Sequence, residues 1–145
     1  MIAVYDLSAG FVTGAGTFQS PVGALTGSPA SGRAQFAFHS NYLPGANVPS
    51  GNTQFKFKAG NFEFDSTAYE WLVVAGARAQ YKGDGVIKGQ TGTFKFMLTA
   101  IDGSLPGGSG QDKFRLKITG SAGGVVYDNQ MDASDGADPS TVIHK

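Results

Sequence analysis

The stretch TQFKFKAGNFEFDS, residues 53–66, carries two Phe-x-Phe pairs on either side of a short Ala-Gly-Asn segment. In an extended strand, residues two apart lie on the same face, so each pair places two rings on one side of its strand. The segment Ala59-Gly60-Asn61 has the residue types that short hairpin turns favour. The sequence therefore predicts antiparallel strands whose rings line a shared core.

The same pair recurs along the chain, so that eight of the eleven phenylalanines stand in Phe-x-Phe pairs. At roughly 1.5–3 kcal/mol per fully buried large apolar side chain, eight rings represent about 12–24 kcal/mol of gross driving force. The net stability of a whole domain is typically about 5–15 kcal/mol. We therefore expect most of these rings in one core. The eight are Phe36, Phe38, Phe55, Phe57, Phe62, Phe64, Phe94 and Phe96.

Strand-like runs bounded by Gly, Pro, Asn, Asp or Ser recur at intervals of about ten to fifteen residues, and no long segment has helical spacing. We therefore predict an all-β fold of about ten strands in two packed antiparallel sheets, a β-sandwich with jelly-roll or immunoglobulin-like topology. A small β-barrel is the alternative. The predicted strands are 10–18, 33–40, 53–59, 62–66, 71–75, 77–81, 93–102, 113–119, 125–128 and 141–144, with a second hairpin turn at Ala75-Gly76-Ala77.

Length and glycine content fit a single domain. A chain of 145 residues can bury about two-thirds of its unfolded surface. The 22 glycines, about twice the usual share of roughly 7%, separate apolar runs and so mark turns. We assign residues 1–9 to a leader or linker remnant and residues 10–145 to one β-sandwich domain.

The charge balance and the absence of cysteine exclude several classes of function. Eleven basic and eleven acidic residues give a formal charge of zero, which leaves no basic footprint for nucleic acid or an anionic membrane. No apolar run approaches the roughly 20 residues that span a bilayer. Without cysteine there are no disulfides, zinc–thiolate sites or thiol nucleophiles. We expect no nucleic-acid partner, no membrane insertion and a monomeric isolated domain.

Six runs in order cover much of the chain: TGAGTFQSPVGAL (13–25), FDSTAYEWLVVAGARAQYKGDGVIKG (64–89), FMLTAIDG (96–103), DKFRLKI (112–118), VVYDNQ (125–130) and TVIHK (141–145). Together they resemble the domain found after the choice-of-anchor region in large exported bacterial proteins. The resemblance implies a β-sandwich module at the cell surface or outside the cell, cut from a longer polypeptide. It implies a structural or adhesive role without catalytic residues, with other domains of the same polypeptide or an extracellular glycan or protein as partners.

An acidic segment near the end of the chain is a candidate calcium site. Its oxygen-bearing side chains lie within eleven residues that contain no lysine or arginine. Calcium takes six to eight oxygen ligands, and a bound cation would relieve the repulsion between clustered carboxylates. The spacing is not that of an EF-hand loop, and the same residue types also form ordinary turns. The candidate ligands are Asp128, Asn129, Asp132, Asp135 and Asp138.

Three aromatic residues are candidates for contact with a ligand. Sugar-binding modules use exposed aromatic faces, and Tyr69 and Tyr81 could flank a shallow platform beside Trp71. Trp71 also begins the apolar run WLVVA, which favours packing in the core. A carbohydrate-binding module of an exported polysaccharide-degrading enzyme, possibly assisted by Ca²⁺, is therefore the alternative function.

Catalysis finds little support in the sequence. The histidines are His39 and His144, and no nucleophile elbow accompanies them. Glu63 is expected to point away from the core, which disfavours its pairing with Glu70 as a glycosidase acid and nucleophile. We therefore predict that the domain is not an enzyme.

Basic residues alternate with apolar ones in two predicted strands, and this pattern predicts one wet basic face on each. The first row is Lys56 and Lys58, and the second is Lys113, Arg115 and Lys117.

Overall fold

A computed structural model describes residues 4–6, 11–41, 50–75, 77–103, 110–131 and 133–143. In these ranges the fold is all-β and antiparallel, as predicted. The one helical element among them is the 3₁₀ turn Lys58–Gly60, and no helix there has the length and apolarity to cross a membrane. The strands are β1 (Val4–Asp6), β2 (Phe11–Ser20), β3 (Gly32–Asn41), β4 (Ser50–Phe57), β5 (Phe62–Ala75), β6 (Arg78–Ile87), β7 (Phe94–Ile101), β8 (Lys113–Thr119), β9 (Val125–Asp128) and β10 (Thr141–Val142).

The strands form one continuous sheet. From β1 to β8 each strand pairs with the next in chain order, and β9 and β10 both pair with β8. The connection between β2 and β3 lies against β9, where Leu25 bridges Tyr127 and the amide of Thr26 donates to the carbonyl of Val126 at 3.0 Å. The sheet therefore curls into a half-barrel. It is not clearly divided into the two sheets of the predicted sandwich.

The concave side of the curled sheet holds the predicted phenylalanine core. Seven of the eight paired phenylalanines are buried, and Phe94 is partly buried against them. Phe36 on β3 stacks on Phe114 of β8 with ring centroids 4.1 Å apart and an interplanar angle of 11°. Phe18 of β2 packs beside both, 6.2 Å and 5.4 Å away. These rings join strands that are far apart in the sheet order, so the core holds the curl.

Several strand boundaries differ from the prediction. Strand β6 continues to Ile87, six residues beyond its predicted end at Tyr81. Residues 62–66 and 71–75 belong to one fourteen-residue strand, β5, with register shifts between Ser66 and Ala68 and between Tyr69 and Trp71. Strand β1 lies within residues 1–9, the segment assigned to a leader or linker. Both predicted hairpins are present as strand pairs, although Gly76 lies outside the described residues.

Two glycines of β6 allow the irregular part of β5 to lie close to it. A Cβ atom on Gly83 would come within 2.2 Å of the carbonyl oxygen of Ala68. A Cβ atom on Gly85 would come within 2.3 Å of the ring of Phe64. Neither contact is sterically possible, so these positions require glycine for the packing of β6 on β5.

Candidate functional site

Two of the three aromatic residues of the predicted platform are buried. Tyr81 is fully buried and Tyr69 is 6% exposed. Both phenol oxygens meet the hydroxyl of Thr53, at 2.5 Å from Tyr81 and 2.8 Å from Tyr69. Burial raises the pKa of both tyrosines. Tyr69 and Tyr81 therefore hold the core together, and only Trp71, which is half-buried, keeps part of its side chain exposed.

Within the described residues, the acidic segment instead forms a strap, which we define as residues 128–131 and 133–140. It begins at the end of β9 and lies against the outer face of β6 and β8. Its side chains and carbonyls bond to residues of those strands at several points. Asp132 lies outside the described residues.

Arg115 fixes the first part of the strap. Its Nε and Nη2 donate to the two carboxylate oxygens of Asp128 at 3.1 Å and 2.9 Å. Its guanidinium also donates to the carbonyls of Ala133, at 3.1 Å, and of Ser134. Arg115 is fully buried and Asp128 is 3% exposed, so this is a desolvated bidentate ion pair. The prediction of a wet basic face on β8 is therefore wrong at Arg115, because the strap covers it.

Two further ion pairs fix the middle and end of the strap. Lys117 of β8 lies 2.7 Å from the carboxylate of Asp135, and Arg78 of β6 lies 3.1 Å from that of Asp138. The side chain of Gln80 donates to the carbonyl of Asp135 at 3.2 Å. The carboxylates therefore have counter-charges that are remote in sequence, and the sequence of the segment alone does not contain them.

Asn129 adds side-chain hydrogen bonds to β8 between its pairing with β10, which reaches Phe114, and its pairing with β9, which begins at Lys117. Its Oδ1 accepts from the amide of Leu116 at 2.8 Å, and its Nδ2 donates to the carbonyl of Phe114 at 3.0 Å. The same nitrogen donates to the hydroxyl of Thr141 at 3.0 Å. One side-chain amide thus fills the space between β9 and β10 along β8.

Calcium binding stays a prediction. Four of the five candidate ligands bond to protein groups, and within the described ranges no three His, Cys, Asp or Glu side chains form a group that could hold a metal ion. A bound calcium ion would have to displace Lys117 and Arg78 from these carboxylates. The prediction requires a higher unfolding midpoint in calcium than in chelator, because a hundredfold excess over Kd adds about 2.7 kcal/mol, which is several degrees for a domain of this size. Equal midpoints in calcium and in chelator would contradict the calcium site.

The Asp135–Lys117 pair makes the stability of the strap dependent on pH. The hydrogen bond from Lys117 holds the pKa of the Asp135 carboxyl below its usual value. A carboxyl with a lowered folded-state pKa stabilises the fold above its unfolded pKa, about 3.9, and this contribution is lost as the pH falls through the folded-state value. We expect Asp135→Asn to be less stable than the wild type at neutral pH, with the difference vanishing in acid. Urea unfolding of both proteins across this pH range measures it.

The Lys117→Gln variant is the control for this prediction, because it removes the largest cause of the lowered pKa and leaves only the charges of Arg115 and Lys82. Asp135→Asn should then have a clearly smaller pH-dependent effect in the Lys117→Gln background. If the stability difference between the wild type and Asp135→Asn persists unchanged in strong acid, it does not arise from the ionised Asp135 carboxylate.

A second feature lies on the outer face of β2, β3 and β4. Cross-strand register places Ala15 beside Ala37, and Ala37 beside Gln54. The rows on either side carry longer side chains, so the alanines form the floor of an open trough with two adjoining grooves of about 470 Å³ and 320 Å³. We call it the β2–β4 trough. One wall is Thr13, His39 and Asn52, the other is Thr17, Gln35 and Lys56, and Gln54 closes the row of the floor.

The trough is polar and exposed, and Lys56 is the one lysine or arginine on its walls. Gln35, Ala37, His39, Asn52 and Gln54 all lie on the exposed face. Amide side chains both donate and accept hydrogen bonds, which suits recognition of uncharged polar groups. The sequence held a signal for this surface, since these residues alternate with the buried phenylalanines. These residues include no aromatic side chain of the kind that the sequence analysis associates with sugar binding.

The residues considered for catalysis are spread over the molecule. His39 stands on a trough wall, and His144 lies outside the described residues. Glu63 lies 3.8 Å from Lys88, and Glu70 lies 3.5 Å from Lys95. Each glutamate thus has its own lysine partner.

Comparisons of the chain with protein-family models, with curated proteins and with solved structures gave no match.

Proposed function

We propose that the chain is a non-catalytic structural or adhesive module of a bacterial surface or secreted protein, and that it acts by passive binding through the β2–β4 trough. The trough carries this proposal, because it is a broad exposed surface of hydrogen-bonding side chains on a sheet with a rigid aromatic core. The resemblance to the domain that follows choice-of-anchor regions supports an extracellular setting.

The division of polar groups between the interior and the surface supports passive binding. The buried charges of Arg115 and Asp128 bond to each other, and the buried phenols of Tyr69 and Tyr81 bond to Thr53. These groups hold the fold. The two halves of the curled sheet face each other across the Phe36–Phe114 stack, as the layers of a sandwich would. Such an arrangement presents a fixed outer face to a partner.

Retention of the labelled chain on whole bacterial cells and on insoluble extracellular matrix tests this proposal. The informative variant is Ala37→Arg, which fills the floor of the trough with a long charged side chain. Its matched control is Ala122→Arg, the same change in the exposed turn between β8 and β9. We expect the first variant to lose retention and the second to keep it. Equal retention of both variants would contradict a role for the trough.

The alternative is a carbohydrate-binding module of an exported polysaccharide-degrading enzyme, and the partial exposure of Trp71 favours it. It requires sugar contact at that ring. Trp71→Ala should then weaken retention on polysaccharide, whereas binding through the trough predicts no change.

A further inference from the structure

We infer that the ligand of the β2–β4 trough is a neutral oligosaccharide chain that lies across the strands. This inference rests on the proposed function and specifies the chemical class of its partner. The sugar would contact the outer face of the sheet, whereas the rings of Tyr69 and Tyr81 are buried against its inner face.

The middle of the trough offers no free edge for an added strand. β3 pairs with β2 and β4 on its two edges, and β4 pairs with β3 and β5. Peptides that add a strand need a free edge, and helices that bind in a groove need several apolar anchors. The floor of the trough offers only the methyl groups of Ala15 and Ala37. A ligand must therefore be recognised by side chains.

The charges around the trough disfavour a polyanion. Lys56 is the cation on its walls, and two carboxylates of β5 stand next to the trough, Glu63 beside Lys56 and Asp65 beside Gln54. These charges give the surface no net attraction for sulfate, phosphate or uronate groups. The remaining wall and floor side chains are amides, hydroxyls, an imidazole and methyl groups.

The geometry and chemistry fit sugar rings. Neighbouring strands lie about 4.8 Å apart, so the floor from β2 to β4 extends about 10 Å, the length of about two sugar units. The C–H face of a ring would lie on Ala15 and Ala37. Its hydroxyl groups would reach the amides of Gln35, Asn52 and Gln54, each of which both donates and accepts.

Amide-resolved NMR titration tests the inference, with cello-, manno-, malto- and N-acetylglucosamine hexasaccharides as neutral probes and an alginate hexasaccharide as the charged probe. We expect at least one neutral probe to shift the amides of residues 13–17, 35–39 and 52–56 at millimolar concentration, and alginate to shift none. Ala37→Arg should weaken binding by roughly tenfold or more, and Ala122→Arg should leave it unchanged. Gln54→Ala, which keeps the floor open, should weaken binding without blocking it.

Two results would overturn the inference: no shift with any neutral probe, or shifts that centre on Trp71. The cell-retention assay separates its failure from that of the proposed function. Three results together would show that the trough binds protein: Ala37→Arg abolishes retention on cells, no neutral sugar binds, and protease treatment of the cells removes retention. In that case only the sugar assignment fails. If Ala37→Arg changes neither retention nor sugar binding, both fail.

Discussion

Asp128→Ala should lower the free energy of unfolding by about 3–5 kcal/mol, because it leaves the guanidinium of Arg115 buried without its counter-charge. Arg115 is fully buried, and its remaining partners are the neutral carbonyls of Ala133 and Ser134. Loss of one member of a buried pair exposes the full desolvation penalty of the other. Urea unfolding at neutral pH, followed by the fluorescence of Trp71, measures the change at constant m-value.

Two variants provide the comparison. Asp135→Ala removes an exposed carboxylate of the same strap and should change the stability by no more than about 1 kcal/mol. The double variant Arg115→Leu/Asp128→Leu removes both charges and should be more stable than Asp128→Ala alone, because no buried charge is left unpaired. If Asp128→Ala is as mild as Asp135→Ala, the Arg115–Asp128 pair is not desolvated in solution.

Phe36→Ala should also lower the free energy of unfolding by about 3–5 kcal/mol, since it leaves a cavity in the middle of the aromatic core. Phe36 is 4% exposed, and its ring contacts Phe18, Phe38 and Phe114. The stack with Phe114 joins β3 to β8 across the curled sheet, so few neighbouring groups can move in to fill the space. Urea and thermal unfolding measure the loss.

The control for this prediction is the same truncation at the partly buried Phe94, which removes less buried surface and should be milder. Phe36→Leu retains most of the buried volume and should lie between the wild type and Phe36→Ala. Equal losses at positions 36 and 94 would contradict the central place of the Phe36–Phe114 stack.

The alternation of residues within strands was readable from the sequence because it depends on local geometry alone. The paired phenylalanines predicted the core, and Val125–Asp128 was placed to the residue as β9. The sequence did not predict that residues 62–66 and 71–75 form one strand, β5. Ala68 and Tyr69 continue this strand only through bulges opposite the glycines of β6.

The carboxylates of the acidic segment form ion pairs with residues that are distant in the sequence. Asp128, Asp135 and Asp138 looked unpaired because no cation stands among them, yet Arg115, Lys117 and Arg78 reach them from β8 and β6. The alternation in β8 correctly placed Arg115 opposite the apolar face. It could not reveal that another part of the chain covers that position. Burial on both faces of a strand is a tertiary property, and one strand's pattern does not contain it.

The strap also sets an order of events in folding. Its anchoring cations are Arg78 on β6 and Arg115 and Lys117 on β8, which are more than thirty residues apart in the chain. Both strands are adjacent to β7 in the sheet. The strap has no surface to dock on until these three strands have paired. We therefore expect its contacts with Lys117 and Arg78 to form after the rate-limiting assembly of the sheet, so that substitutions at Asp135 and Asp138 accelerate unfolding and leave the folding rate unchanged in stopped-flow experiments. On this expectation the strap closes over an already folded sheet and contributes to the lifetime of the native state.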